Sequence, residues 1–179
     1  MKFTDDTASH LPILEKAANL PGITVALEHG CGHYSTACLL EAGCHVWSLE
    51  DMDAQWLKTL GELPFPDHWH PVDCTQRPAD GLLAELMPLG LVFADGSRFG
   101  RAPVGNEAFG LGVPLVLFHD TELGWFYEYE RLRPPGDYVR YEWRCTEGRN
   151  KGTVLYARRD DHQGLVEAWG TLDYHRRME

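Results

Sequence analysis

Short, continuously apolar runs recur along the chain, and polar-apolar stretches with helical spacing separate most of them. Runs without alternation predict strands that are buried on both faces, as in a parallel sheet. Such runs predict strands over residues 89–96 and 112–120, and shorter stretches between turn residues predict further strands over residues 23–28, 45–50 and 69–73.

The stretches between these strands predict helices over residues 9–20, 33–42, 54–60, 78–88, 104–109 and 121–132. Ser9 is a suitable N-cap for the first helix, because its hydroxyl can accept a hydrogen bond from a free backbone N–H. In the last helix, the pattern predicts a face formed by aromatic and apolar side chains, Trp125, Phe126, Tyr129 and Leu132.

Residues 138–145 and 152–159 alternate between polar and apolar, which predicts an antiparallel hairpin at the end of the sheet. Strands that alternate with helices form a doubly wound, mostly parallel sheet. The chain is therefore predicted to be an α/β protein with seven strands and a C-terminal antiparallel hairpin. Its predicted parts are an N-terminal helix in residues 1–22, a domain in residues 23–159 and a tail in residues 160–179.

The organising stretch is residues 23–50, which read as strand, glycine turn, helix and second strand. Gly30 and Gly32 have no Cβ, so their backbone can take positive φ and a ligand can approach closely. The following helix offers unpaired N–H groups and the positive end of its dipole. Glu50 ends the second strand, where a carboxylate can grip two ribose hydroxyls. These features predict a site for a nucleoside cofactor.

Acidic groups also follow the other predicted strands. Ligands of open α/β sheets bind at the carboxyl ends of the strands, so each of these positions is a candidate site residue. They are Glu28, Glu50, Asp73, Asp95 and the pair His119 and Asp120.

The chain has 179 residues, which is the size of one domain. Its formal charge of −11 repels phosphate backbones and anionic lipid. We therefore expect neither nucleic acid nor membrane as the main partner. The five cysteines have no framework spacing, which favours reduced thiols and a cytoplasmic location. A zinc site built from Cys31, Cys38 and Cys44 is disfavoured, because they form no Cys-x-x-Cys pairs.

Over roughly residues 23–158, the chain resembles the class I S-adenosylmethionine-dependent methyltransferases. The match rests on Glu28-His29-Gly30-Cys31-Gly32 as the first motif, on Glu50 and Asp73 after the next two strands, and on Asp95-Gly96 after the fourth. The stretches GHYST, SLE, ADGSR and FHDT look most like small-molecule O-methyltransferase branches.

The resemblance implies a Rossmann-like methyltransferase fold and binding of S-adenosylmethionine. Gly30 and Gly32 would lie against its methionine part, and Glu50 would hold the ribose. The resemblance further implies that Asp51 or Met52 lies beside the adenine and that Asp73 or Cys74 lies near its amino group. Ser35 caps the helix or touches the cofactor carboxylate. Glu28 either contacts the cofactor or satisfies backbone groups beneath the turn.

The acceptor side of the predicted site contains Asp95, His119 and Asp120. Methyl transfer requires positioning of the acceptor and management of one proton, and His119 is a suitable general base. In one alternative, Asp95 and Asp120 share a Mg²⁺ ion, as in metal-dependent O-methyltransferases. In another, Asp120 caps the following helix and His119 forms a hydrogen bond within the entrance of the site.

Arg98 and Arg101 would suit an anionic substrate, or else hold the loop by pairing with Glu107 or Asp120. Trp125 is a candidate wall of the substrate pocket. Since one helix precedes the first strand, the substrate site is expected from residues 97–110, from the Trp125 helix or from a partner chain in a homo-oligomer.

The predicted function is methyl transfer from S-adenosylmethionine to a small molecule, at an oxygen. One alternative is a non-catalytic scaffold or sensor with this fold. A less favoured alternative is an NAD-dependent oxidoreductase, because Ser35 stands where the dinucleotide fingerprint requires Gly or Ala and a second nucleotide-binding half is missing.

Overall fold

The computed structural model describes residues 9–60, 63–76, 79, 81–86, 88–144, 151–159, 161–167, 169 and 175–178. These residues form one mixed sheet with the order β3-β2-β1-β4-β5-β7-β6-β8. Its strands are β1 (Val25–His29), β2 (His45–Glu50), β3 (Trp69–Asp73), β4 (Leu91–Ala94), β5 (Leu115–His119), β6 (Tyr138–Arg144), β7 (Gly152–Arg158) and β8 (His175–Met178).

The first five strands are parallel, as their alternation with helices predicts. β1 lies between β2 and β4, so the direction of winding reverses at β1. In a doubly wound sheet this reversal opens a crevice outside the carboxyl ends of the strands, where ligands bind. The fold therefore places the glycine turn after β1 at the crevice.

The predicted hairpin is confirmed, since β7 pairs antiparallel with both β5 and β6. The connecting residues 145–150 lie outside the described residues. Within the predicted tail, a short helix α5 (Gln163–Glu167) and the strand β8 are present, and β8 pairs with β6. The predicted domain boundaries at residues 22 and 159 stay predictions.

In the described residues before the hairpin, the α-helices are α1 (Leu11–Ala18), α2 (His33–Glu41), α3 (Trp56–Thr59) and α4 (Arg101–Gly110). The prediction that Ser9 caps α1 is wrong, because His10 occupies the N-cap and Ser9 bonds instead to His119. The predicted helix over residues 78–88 is represented among its described residues by one 3-10 turn, Leu83–Leu86.

The predicted helix over residues 121–132 is also wrong. Two 3-10 turns, Thr121–Leu123 and Tyr129–Arg131, stand in its place. Glu128, between these turns, has a left-handed backbone with φ of +57°, which interrupts a right-handed helix. The aromatic spacing indicated a continuous helix, which the backbone at Glu128 does not continue.

The sheet carries a hydrophobic core on each face. One core packs α1, α2 and Val166 of α5 against the sheet, and it includes the fully buried Tyr141 and Trp143. The other packs α4 and Leu83 against the opposite face. None of the helices in the described part of the chain has the length and apolar character that crossing a membrane requires.

Candidate functional site

A cavity of about 450 Å³ lies at the carboxyl ends of β1, β2 and β4. This volume falls within the usual range for small-molecule sites, about 300–1,000 Å³. Six of the residues predicted from sequence line it, namely Gly30, Gly32, Ser35, Glu50, Met52 and Asp95. The other described lining residues are His10, Cys31, His33, Tyr34, Asp53, Trp56 and Gly96.

The glycine turn after β1 packs backbone against backbone. Gly30 has φ of +82°, and a Cβ placed on it would lie 2.4 Å from the Cα and N atoms of Gly96. Its N–H donates to the carbonyl oxygen of Leu49 at 2.8 Å. Only glycine meets both requirements, a positive φ and contact with Gly96. The turn thereby joins β1, β2 and the loop after β4 into one cavity wall.

Glu50 is held in place at the end of β2. Its Oε1 accepts hydrogen bonds from the backbone N–H groups of Met52 and Asp53, at 2.8 and 3.0 Å. Its Oε2 accepts a weaker bond from the Cys31 thiol at 3.4 Å. A carboxylate that is fixed in this way is preorganised to receive hydroxyl groups from the cavity.

Trp56 lines the cavity, and the sequence analysis gave it no role. Its indole N–H donates to the carbonyl oxygen of Cys31 at 2.6 Å, and its ring contacts His33 edge to face. Met52, which was predicted as an alternative to Asp51 beside the adenine, is exposed and also lines the cavity. Both residues offer apolar surface to a ligand, and an aromatic residue at the start of the helix after β2 was the available signal for Trp56.

The other predicted cofactor residues lie outside the described lining of the cavity. They are Glu28, Asp51, Asp73 and Cys74. Asp73 is exposed, and its Oδ1 accepts hydrogen bonds from the backbone and side chain of Thr75. Cys74 is buried in the core, and its N–H donates to the carbonyl oxygen of Glu50. Contact of these residues with a cofactor stays a prediction.

Glu28 lies beneath the turn and is 0% exposed. Its Oε2 accepts hydrogen bonds from the hydroxyls of Thr36 and Ser48, at 2.6 and 3.1 Å. Thr36 in turn accepts from the N–H of Gly32. Burial raises the pKa of Glu28 to about 7, although the hydroxyls of Ser35, Thr36 and Ser48 oppose the rise. Glu28 therefore ties the turn to α2 and β2 from below.

We expect the pH dependence of stability to change in Glu28→Gln. In the unfolded chain Glu28 loses its proton near 4.5, but in the folded chain it keeps it to about 7. The folded state binds the extra proton between these values, so stability falls as pH rises through this window. The wild type should lose about 2–3 kcal/mol relative to Glu28→Gln between pH 5 and 8, measured by urea unfolding. An equal pH dependence in both proteins would contradict this assignment; the exposed Glu41→Gln is the control.

Asp51 faces the interior rather than the cavity. It bonds to His29 Nε2 at 2.8 Å and to the backbone N–H of Ser97 at 3.0 Å. Burial alone would raise the pKa of Asp51, but the bonds from His29 and Ser97 outweigh it and lower the pKa to about 2. The sequence analysis gave His29 no role. A Cβ on Gly96 or Gly100 would collide with the His29 ring, so two glycines close together after β4 were the available sign that a bulky side chain packs there.

Arg101 lies in a buried ionic network and does not reach the cavity lining. It is 4% exposed and pairs with Asp95 Oδ1 at 2.9 Å and, more distantly, with Asp120 Oδ2 at 3.7 Å. Its other donors reach the carbonyl oxygens of Gly96 and His119 and the Tyr129 hydroxyl. Of the two predicted roles, the geometry favours holding the loop over binding an anionic substrate.

Asp95 and His119 are neighbours, as the ends of β4 and β5 predict. His119 Nδ1 lies 3.3 Å from Asp95 Oδ2, and its Nε2 lies 2.9 Å from the Ser9 hydroxyl. Burial opposes ionisation of Asp95, but His119 and Arg101 hold its pKa well below the usual range. Asp95 lines the cavity, and His119 lies directly behind it.

The donor set does not fit a Mg²⁺ ion shared by Asp95 and Asp120. Asp120 Oδ1 is 2.5 Å from Lys151 Nζ, and Asp95 is paired with Arg101. Asp120 Oδ2 also faces Arg101, at 3.7 Å, so both oxygens of Asp120 are directed at cations and neither can share an ion with Asp95.

His10 enters the site from the residue before α1, and the sequence analysis did not select it. It lines the cavity, stacks on Phe93 at 4.8 Å and meets the His119 ring at 4.4 Å. Burial lowers its pKa to about 3, so its imidazole is neutral. No local motif marks this position, because the contacts depend on where α1 docks.

Two predicted substrate residues lie outside the described lining of the cavity. The Arg98 guanidinium stacks over the rings of Phe99 and Phe126, at 5.2 and 4.8 Å. Trp125 is 74% exposed and contacts Phe126 edge to face. They form an exposed aromatic surface, and substrate binding there stays a prediction.

No protein-family model matches the sequence, and no curated protein matches it. Solved structures do match. An O-methyltransferase from Bacillus cereus, in complex with SAH, has a TM-score of 0.63 at 14% identity, covering 88% of this chain and 84% of that one.

Two further solved structures are similar over most of this chain. A putative tRNA (m1A22) methyltransferase from Streptococcus pneumoniae, in complex with S-adenosyl-L-methionine, has a TM-score of 0.53 at 13% identity, covering 83% of this chain and 72% of that one. The C-terminal domain of a precorrin-6Y C5,15-methyltransferase from Rhodobacter capsulatus has a TM-score of 0.50 at 18% identity, covering 83% and 89%. The chain therefore has the fold of the class I S-adenosylmethionine-dependent methyltransferases.

Proposed function

We propose that the chain binds S-adenosylmethionine in the cavity and transfers its methyl group to a small molecule, at an oxygen. The observation that carries this proposal is the joint placement of Gly30, Glu50 and Asp95 around one cavity at the switch point of the sheet. S-adenosylmethionine is a nucleoside with a charged amino-acid tail. Gly30 lets the backbone approach that tail, Glu50 is a fixed carboxylate for the ribose, and Asp95 lies where the acceptor would enter.

In this proposal the methionine part lies over Gly30 and Gly32, at the N-terminus of α2, where free N–H groups favour its carboxylate. The ribose hydroxyls bind Glu50, and the adenine lies against Met52 and Trp56. The sulfonium methyl group then points toward Asp95. This orientation is supported by the elements that carry the lining residues, since the glycine turn, the end of β2 and the end of β4 all contribute to the cavity.

Asp95 and His119 would manage the acceptor's proton. Asp95 faces the cavity and accepts a hydrogen bond from the acceptor hydroxyl, while the buried His119 orients Asp95 and takes up the proton. The net charge of −11 favours a small acceptor over a polyphosphate chain. Since methyl transfer is an in-line displacement, most of the catalysis would come from positioning.

Calorimetric titration of the untagged protein with S-adenosylmethionine, S-adenosylhomocysteine and NAD⁺ tests the cofactor assignment. We expect saturable binding of the first two and not of NAD⁺. Glu50→Ala should weaken binding by roughly 100-fold, because it removes hydrogen bonds to a charged group. Glu41→Ala removes the same charge from an exposed site on α2 and should leave binding unchanged. No binding to the wild type, or equal binding in both variants, would refute the proposal.

A non-catalytic protein with this fold is the second candidate, and one observation favours it. His119 is buried and already bonded to Asp95 and Ser9, so a direct path to an acceptor is closed in this conformation. Loss of methyl transfer in His119→Ala, with cofactor binding intact, would exclude this candidate. Cofactor binding without transfer to any acceptor in a screen would support it.

A further inference from the structure

Three potential metal ligands from separate parts of the chain meet beside the cavity. His10 precedes α1, Asp95 follows β4 and His119 ends β5. One ligand atom from each lies within 4.8 Å of the other two. Within the described residues this is the one group of three or more His, Cys, Asp or Glu side chains with that geometry.

His10 carries the independent observation. It is 3% exposed, and neither of its ring nitrogens has a hydrogen-bond partner among the described residues. Buried polar groups are normally paired, and an unpaired one is destabilising. A buried imidazole that lacks a partner and lies within reach of Asp95 and His119 indicates a missing ligand at this point.

The surroundings of His119 match those of a metal-bound histidine. Its Nε2 faces the Ser9 hydroxyl at 2.9 Å, with Asp120 Oδ1 at 3.7 Å, so Nδ1 is the nitrogen directed at Asp95. Metal-ligating histidines usually direct their second nitrogen to such an oxygen, which fixes the ring. Arg101 occupies Asp95 Oδ1, which leaves Oδ2 for an ion.

We propose that His10, Asp95 and His119 bind one divalent transition-metal ion of the zinc type. Two imidazoles and one carboxylate suit Zn²⁺, Co²⁺ or Fe²⁺ and disfavour Mg²⁺, which prefers oxygen ligands. Metal–ligand bonds of about 2.0–2.2 Å place tetrahedral ligand atoms about 3.4 Å apart. His119 Nδ1 and Asp95 Oδ2 are already 3.3 Å apart, so binding requires His10 to approach them by at most about 1.4 Å.

The remaining coordination positions face the cavity, because His10 and Asp95 both line it. An open position next to the acceptor end can bind a water or a hydroxyl and lower its pKa. Asp95 and His119 serve in both proposals, and an ion held by His119 Nδ1 would take the place of His119 in managing the acceptor's proton. Metal binding itself is measured apart from cofactor binding, since the cofactor contacts Gly30 and Glu50 are not among the ligands. Failure of cofactor binding and failure of metal binding are therefore distinguishable.

The test is a titration of chelator-treated, untagged protein with Co²⁺, followed by its visible absorption and by calorimetry. We expect one ion per chain, displaced by Zn²⁺ but not by Mg²⁺. His10→Phe, which keeps a ring against Phe93, should weaken binding at least 100-fold. The matched control is His70→Ala, because His70 and His45 form a second imidazole pair with nitrogens 3.5 Å apart. This control should bind as the wild type does.

Wild-type protein that binds no stoichiometric ion, or His10→Phe protein that binds as tightly as the wild type, would overturn the proposal. Should His10→Phe fail to fold, the wild type alone decides by proton NMR of the Co²⁺ form. Two shifted, exchangeable imidazole N–H signals are expected from two histidine ligands, and one signal or none would overturn the site.

Discussion

Gly30→Ala is expected to destabilise the protein by about 3 kcal/mol or more. A Cβ at this position would lie 2.4 Å from backbone atoms of Gly96, and the φ of +82° is unfavourable for alanine. Backbone atoms cannot rotate away as a side chain would, so the β1 turn and the loop after β4 must separate. Urea unfolding measures the loss.

Gly43→Ala is the matched control for this prediction. Gly43 has φ of +85°, and no atom lies within 4 Å of a Cβ placed on it. It therefore isolates the cost of the left-handed backbone, about 1–2 kcal/mol. Equal losses in the two variants would show that the contact between Gly30 and Gly96 contributes nothing to stability.

Arg101→Met is expected to destabilise the protein by about 3–5 kcal/mol. The methionine fills much of the same space, but it leaves Asp95 without its buried cation and leaves Asp120 paired with Lys151 alone. It also leaves the carbonyl oxygens of Gly96 and His119 without this donor. The loss should appear in the midpoint of urea unfolding.

The same substitution at an exposed site provides the control. The Arg131 side chain is 59% exposed and pairs with Glu128 on the surface. Exposed ion pairs contribute at most about 1 kcal/mol, so Arg131→Met should be nearly neutral. A neutral Arg101→Met would contradict the assignment of Arg101 as the cation that holds Asp95 and Asp120 together.

The sequence predicts the sheet well because its signals are local. The strand over residues 45–50 is found with the same bounds, since Val46, Trp47 and Leu49 stand in a short segment between a glycine turn and an acidic loop. The helix predicted over residues 121–132 fails for a non-local reason. Thr121 and Glu122 lie against Gly152 of β7, and Gly152 N–H donates to Glu122, contacts that periodicity does not reveal.

The residues of the candidate site also fall into those that local sequence predicts and those that depend on distant contacts. The glycine turn and Glu50 are predictable, because a turn type and a strand end are local features. The contact between Asp95 and His119 follows from adjacent strands. The roles of Ser9 and His10 are not predictable, because Ser9 bonds to a residue 110 positions away in the chain. Helical capping was the only local signal at Ser9, and it indicated the wrong partner.

A crystal structure of the protein with S-adenosylhomocysteine tests the central claim most directly. The account predicts the ribose hydroxyls on Glu50, the amino-acid part over Gly30 and Gly32, and the sulfur directed toward Asp95. A ligand bound elsewhere, or a cavity that stays empty at saturating ligand, would contradict it.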